Sequence, residues 1–281
     1  MKFGINSFLW TENFGRAHFA LLPEIRKRGF DGIEVSLFHA ADFEAAAIRR
    51  ALDENQLSCT VCSVLPAGFS LVSDDRAVRD RTLTHLSECV KATAEAGASL
   101  IAGPLYSPVG YFPGRRRNAD EWRRVVDAYQ QLGPVLQRHG VHVCLEPLNR
   151  FETSFLNTTA DAVRLCDEIA HPNVGILWDT FHANIEEKNL EQALLSTGRH
   201  LKHVHTCEND RGTPGSGHVD WRGVFSALNQ LGYDGWLTIE SFGFALGDLS
   251  SAASIWRDLA PTPEDIAWDG IKFLRASSGH N

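Results

Sequence analysis

Four residues with the chemistry of metal ligands end four successive apolar runs of this 281-residue chain. VHVCLEP carries Glu146, VGILWD ends on Asp179, LKHVHT carries His205 and WLTIES carries Glu240. The intervals between them are 33, 26 and 35 residues, each about one strand-plus-helix unit. If the runs are adjacent parallel strands about 4.8 Å apart, the four side chains surround a space sized for one cation. Three carboxylates and an imidazole place about −3 there and repel strongly without a counter-charge. One divalent ion resolves this. A mostly oxygen donor set with one nitrogen suits Mn²⁺, Co²⁺ or Mg²⁺ better than a thiolate-type zinc site. A single acidic residue at a strand end is commonly a loop hydrogen-bonder, but four in succession are hard to place by chance.

Other polar residues lie close by in sequence. His182, three beyond Asp179, could donate to a substrate oxygen or simply begin a helix. Glu152, six beyond Glu146 in EPLNRFE, could accept from a hydroxyl or be a surface carboxylate. Arg211, six beyond His205 in HTCENDRG, could fix a substrate oxygen or be solvated. His203 shares a strand face with His205 but lies deeper, as a core or supporting histidine.

Eight short apolar runs alternate with helix-like segments. The strand candidates are 2–6, 32–37, 58–64, 100–105, 141–147, 174–179, 201–206 and 236–241. Between them, sets such as Leu21, Leu22 and Ile25, or Val125, Val126, Tyr129 and Leu132, recur at helical spacing. Glycines in KRGFDG, AEAGAS, QRHGVH and QLGYDG punctuate helix ends before the next strand. Strand then helix, eight times, with strands apolar on both faces, predicts an α/β fold: a TIM (β/α)8 barrel forming a single domain over 1–281. An open doubly wound sheet would usually show a Gly-rich phosphate loop after its first strand, and NSFLWTENFG is not one. A C-terminal helical extension should start near Thr262, with Pro263 in its first turn. Its Ile266, Ile271 and Leu274 should dock on the barrel or on a neighbouring subunit.

Composition excludes several classes. The net charge of −8 argues against a nucleic-acid partner bound through its phosphates. No apolar run reaches the roughly 18 residues of a membrane span, and MKFGINSFLW lacks signal-peptide character. The expectation is a cytoplasmic protein with no membrane partner. Cys59 and Cys62 spell C-x-x-C on a predicted strand, where residues three apart face opposite ways, so a shared zinc is not expected. Arg115, Arg116 and Arg117 form the one basic run, inside a long Gly/Pro-rich loop, and read as a solvated cluster.

At these residues the chain resembles a known group. NRFE, D-x-x-H-x-N-I-E-E from Asp179 and H-x-x-E-x-x-R-G-x-x-G-x-G from His205, followed by IESF, are similar to the ketose 3-epimerases of the D-tagatose/D-allulose type, within the xylose-isomerase-like superfamily. The resemblance covers essentially the whole chain. It implies that Glu146, Asp179, His205 and Glu240 bind one divalent metal per subunit, often Mn²⁺ or Co²⁺. It implies that Glu146 and Glu240 double as the proton-transfer pair, and that Glu152, His182 and Arg211 hold the O1–O3 end of a small-molecule ketose. It also implies a homodimer or homotetramer. The expected reaction is inversion at C3 of free ketoses of the D-tagatose, D-fructose/D-allulose or L-ribulose class through an enediolate, with one glutamate as base and the other as acid.

Competing readings use the same scaffold. An aldose–ketose isomerase of the hydroxypyruvate or inosose type would move hydrogen between C1 and C2, and an inosose dehydratase-like lyase would lose water. A DNA-repair endonuclease would want a histidine-rich multi-zinc site and a basic groove. A non-catalytic sugar-binding module would bind ketose without exchanging its C3 hydrogen.

Overall fold

The computed structural model describes residues 1–243 and 248–279. The apolar runs become eight parallel strands: β1 Lys2–Asn6, β2 Gly32–Ser36, β3 Ser58–Cys62, β4 Leu100–Gly103, β5 His142–Leu145, β6 Val174–Asp179, β7 Leu201–His205 and β8 Trp236–Ile239. They hydrogen-bond in sequence order and close through β1 on β8, giving a TIM barrel. Closure satisfies every strand edge, which an open sheet would leave unpaired.

Around them run helices α1 Leu22–Lys27, α2 Ala45–Glu54, α3 Arg76–Glu95, α4 Ala119–His139, α5 Thr159–Ile169, α6 Thr180–Glu186, α7 Leu190–Ser196, α8 Trp221–Gln230, α9 Asp248–Ala252 and α10 Pro263–Ser277. The terminal helix begins where its sequence predicts. Thr262 and Asp265 form a reciprocal capping box, and Pro263 occupies the first turn. Ile266, Ile271 and Leu274 are buried within the chain itself, α10 packing on β8 and α8. No helix is long and apolar enough to cross a membrane, among the described residues.

Strand alternation sorts residues into two layers. Ile101, Val143, Ile176 and Val204 face the helices in the main core. Ala102, Cys144 and Leu177 face inward and form a small apolar cluster with Leu100. Much of the remaining barrel interior is polar: Asn6, Glu34, Thr60, His203 and Thr238 are all buried there. Six of the eight predicted runs extend past the strands at their carboxyl ends, while 2–6 and 174–179 match β1 and β6. Glu146 and Glu240 lie one residue beyond β5 and β8, where the chain leaves the ladder for the site loops.

All six cysteines are unpaired, Cys59 and Cys62 on β3 included. The arginine run is solvated at Arg115 and Arg116, both exposed as expected, but it is also anchored. Arg115 makes a two-pronged pair with the buried Glu121, and Arg117 pairs with Asp161 at 2.8 Å and lies over the Trp122 ring. The cause is tertiary: α4 starts beside the loop and offers Glu121, which already closes a capping box with Asn118.

Candidate metal centre

Parity places the four strand-end residues on one face. Cys144 points inward, so Glu146 does; Leu177 brings Asp179, His203 brings His205, and Thr238 brings Glu240. Asp179 and His205 are also register partners across β6 and β7. Backbone contacts fix Glu146, whose N–H donates to Gly103 O and whose carbonyl accepts from the Tyr106 hydroxyl. Gly103 in turn lies tight against the chain after β3: at φ +139, a Cβ there would sit 2.0 Å from Ser63 O.

One donor atom from each of Glu146, Asp179, His205 and Glu240 lies within 4.8 Å of the others, all four residues being buried. The Nδ1 of His205 is 3.4 Å from Glu240 Oε1, 3.6 Å from Asp179 Oδ2 and 4.0 Å from Glu146 Oε1. Glu146 Oε1 and His205 Nδ1 are buried with no hydrogen-bond partner. Such atoms cost free energy unless something binds them. Burial, then the Glu240 charge, pushes the Glu146 carboxyl well above the usual range. Burial disfavours a charged His205, yet Glu240 and Glu34 outweigh it and hold the ring well above the ordinary histidine range. The cluster as built calls for positive charge, and its oxygen-rich donor set fits a hard divalent ion.

Asp179 divides its two oxygens. Oδ1 caps α6, accepting from Phe181 N and His182 N at 2.6 and 3.2 Å, which leaves Oδ2 for the site. There Arg211 Nη1 donates to Asp179 Oδ2 at 2.9 Å and also to Glu240 Oε2. Burial opposes ionisation of Asp179, but this guanidinium together with His205 and His182 outweighs it and holds the carboxyl well below its normal range. Arg211 is itself buried, stacked 4.2 Å from the Phe181 ring and 5.3 Å from Phe242. Its φ of +68 is unusual for a side-chain-bearing residue. The loop that enforces it is gathered by Glu208, which accepts from Asn209 N, Gly215 N, Val219 N and Trp221 Nε1. Gly215 sits at φ +87 against Phe273, where a Cβ would lie 2.4 Å from the ring.

His182 Nδ1 accepts from the Asn149 backbone N–H at 3.0 Å, with the Asn149 amide nitrogen equally close. Its Nε2 faces Arg211 Nη2 at 3.0 Å. Burial and the guanidinium push this imidazole down to about 3, so it is neutral near pH 7. Glu152 accepts from Asn149 Nδ2 at 2.8 Å, and burial raises its carboxyl above the ordinary range. Glu146, Glu152, His182, Arg211 and Glu240 all line one inner cavity of about 120 Å³. Its opposite wall is apolar, with Phe8 stacked between Phe38 and Phe242 at centroid distances of 6.0 and 5.6 Å. A wider outer recess of about 440 Å³ leads in, rimmed by Phe151 and Trp256. The chemistry-bearing carboxylates line the inner space.

All seven residues singled out from sequence therefore meet at one place. Three contributors escaped that reading. Glu34, mid-strand in GIEVS, holds His205 from behind; the signal was an acid flanked by Ile33 and Val35. Cys207 places its Sγ 3.2 Å from Asp179 Oδ2 and 3.1 Å from Arg211 Nη1. Asn149 supports both His182 and Glu152. No spacing rule flags the last two.

Residues 22–277 match the family model described as a xylose isomerase-like TIM barrel. A probable ketose 3-epimerase of Synechocystis sp. is 35% identical over 275 residues, covering 98% of this chain and 96% of the relative. A D-psicose 3-epimerase of Ruminiclostridium cellulolyticum is 31% identical over 265 residues, covering 92% and 90%. The crystal structure of a D-allulose 3-epimerase from Methylomonas sp. in complex with D-allulose superposes with a TM-score of 0.93 at 28% identity, covering 99% of this chain and 97% of that one.

Proposed function

The chain belongs to the xylose isomerase-like TIM-barrel family, and from that membership we propose that it is a metal-dependent epimerase inverting C3 of free ketoses. Full-length similarity to proteins named ketose, D-psicose and L-ribulose 3-epimerase supports the substrate class. The observation that carries the reading is the convergence of four buried donor atoms within 4.8 Å, two of them without any partner.

Glu146, Asp179, His205 and Glu240 would hold the ion, Mn²⁺ before Co²⁺ or Mg²⁺. When bound, a divalent ion supplies Lewis-acid polarisation of the substrate carbonyl, which makes the adjacent C–H acidic enough to ionise. The chain's own groups handle the proton. Glu146 and Glu240 border the same cavity from strands β5 and β8, so one removes the C3 proton and the other returns a proton to the planar enediolate from its other face.

His182 and Arg211 position the sugar. With Nδ1 occupied as acceptor, the neutral His182 ring carries its proton on Nε2. That N–H and Arg211 Nη2 are then two donors facing each other at 3.0 Å. A substrate oxygen accepting from both would relieve the conflict. Glu152, on the same cavity, accepts from a neighbouring hydroxyl. Phe151 and Trp256, 73% and 76% exposed at the rim, support assembly as a homodimer or homotetramer, since large exposed aromatic surface is usually covered.

The deciding experiment incubates D-fructose, D-tagatose and L-ribulose with the protein in deuterated buffer, with Mn²⁺ or with chelator, followed by proton NMR. C3 epimers carrying deuterium at C3, formed only with the metal, are expected. Aldose formation, loss of water, or activity unaffected by chelation would each replace this reading.

A further inference from the structure

Glu34 has no exposed surface and sits in the middle of β2, inside the barrel. A carboxylate there is costly unless donors surround it. Three donate to it. Asn6 Nδ2 donates to Oε1 at 2.9 Å, Thr60 Oγ1 to Oε2 at 2.9 Å, and His205 Nε2 to Oε1 at 2.7 Å. His203 Nε2 lies 2.7 Å from Oε2 without hydrogen-bond alignment. Asn6, Glu34 and Thr60 are register neighbours, so β1, β2 and β3 deliver the three in one layer. His205 reaches that layer from the opposite side of the barrel and turns its other nitrogen to the four-residue cluster.

We propose that Glu34 is a positioning residue for the ion: by accepting the His205 Nε2–H, it locks the tautomer whose Nδ1 lone pair faces Glu146, Asp179 and Glu240. This rests on the metal reading of the same site. Both ring nitrogens of a histidine cannot be lone pairs at once when neutral, so whichever group takes the proton on one nitrogen decides what the other presents. Glutamine could not replace Glu34 here. It offers one acceptor oxygen where donors approach both, and its own NH₂ would face a donor. A second ion among Glu34, His203 and His205 is the rival explanation, because their donor atoms also lie within 4.8 Å of one another. Contacts of 2.7 Å argue against it, since an ion about 2.1 Å from each ligand holds neighbouring donors roughly 3 Å apart or more.

The test measures Mn²⁺ affinity by calorimetry for the wild-type chain, Glu34→Gln, His205→Ala and Glu146→Gln. Nitrogen-15 NMR of histidine-labelled wild-type protein loaded with diamagnetic Mg²⁺, where the ring is neutral, reads the His205 tautomer without any substitution. Expected are a proton on Nε2 in the wild type and about 10- to 100-fold weaker Mn²⁺ binding in Glu34→Gln. Wild-type protein with the His205 proton on Nδ1 would overturn the proposal, and so would Mn²⁺ affinity in Glu34→Gln within about twofold of wild type while His205→Ala loses it. Should His205→Ala and Glu146→Gln both bind Mn²⁺ as the wild type does, the metal reading itself falls and takes the proposal with it. Two ions bound per chain, reduced to one in Glu34→Gln, would establish the rival.

Discussion

Arg211 and Asp179 form a buried ion pair, Nη1 to Oδ2 at 2.9 Å, at the cluster of the four candidate ligands. The same guanidinium nitrogen reaches Glu240. Charge accounts for the arrangement. Three site carboxylates bear −3 when ionised; one guanidinium supplies +1, and the proposed divalent ion would supply the remaining +2.

Removing Arg211 should therefore hurt most when the ion is missing. Arg211→Met leaves two buried carboxylates without their cation, a loss on the order of 3–5 kcal/mol. We expect that loss in denaturant unfolding with chelator present and a markedly smaller one with saturating Mn²⁺. Equal losses in both conditions would contradict the shared neutralisation.

Glu146→Gln and Glu240→Gln each delete a proton-transfer group while preserving shape. Turnover of the best ketose should fall about 100- to 10,000-fold, with the far-ultraviolet dichroism unchanged. Near-normal epimerisation by either variant would remove that residue from the proton path.

Phosphorylated ketoses should be poor substrates. Among the described residues, the basic groups lining the inner cavity are His182 and Arg211. His182 is uncharged near neutral pH and Arg211 is already paired. A phosphate pressed against Phe8, Phe38 and Phe242 would lose its hydration without compensation, at a cost of several kcal/mol. kcat/KM for a ketose 6-phosphate should be at least about 100-fold below that for the free sugar; parity would show that the distal end lies elsewhere.

Acid should weaken the start of α4. The Arg115 pair, acting against burial and helped by the Asn118 backbone, lowers the Glu121 carboxyl. A folded value below the unfolded one, about 4.3, gives stability that is full above the unfolded value and lost as pH falls through the folded one. Glu121→Gln should therefore cost about 2 kcal/mol at pH 7, and that difference should shrink below pH 4. Thermal unfolding of both proteins at pH 7 and pH 3.5 checks it, and a penalty that does not change with pH would sink the assignment.

What was legible in the sequence is local. Eight apolar runs marked eight strands because a strand buried on both faces must be apolar almost throughout. Glu146, Asp179, His205 and Glu240 stood out because they interrupt such runs at their carboxyl ends. Thr262 and Pro263 announced α10 through capping chemistry that involves neighbours only. Cys207 and Asn149 gave no comparable signal, since a cysteine after a strand or an asparagine in a loop is ordinary. Arg115 is solvated as expected, but its pairing was not legible, because Glu121 becomes its partner only when the loop turns into α4.

Sequence alone determined which side chains stand at the strand ends and, through alternation, that they share a face, because both follow from positions along one strand. The tertiary structure decided which atoms are free. Glu34 and His205 are 171 residues apart, and barrel closure alone brings them to hydrogen-bond distance and turns Nδ1 toward the carboxylates. Arg211 neutralises Asp179 through a loop whose path depends on Glu208 and Gly215. Buried charges interact according to distance and surroundings, and neither is written in the order of residues.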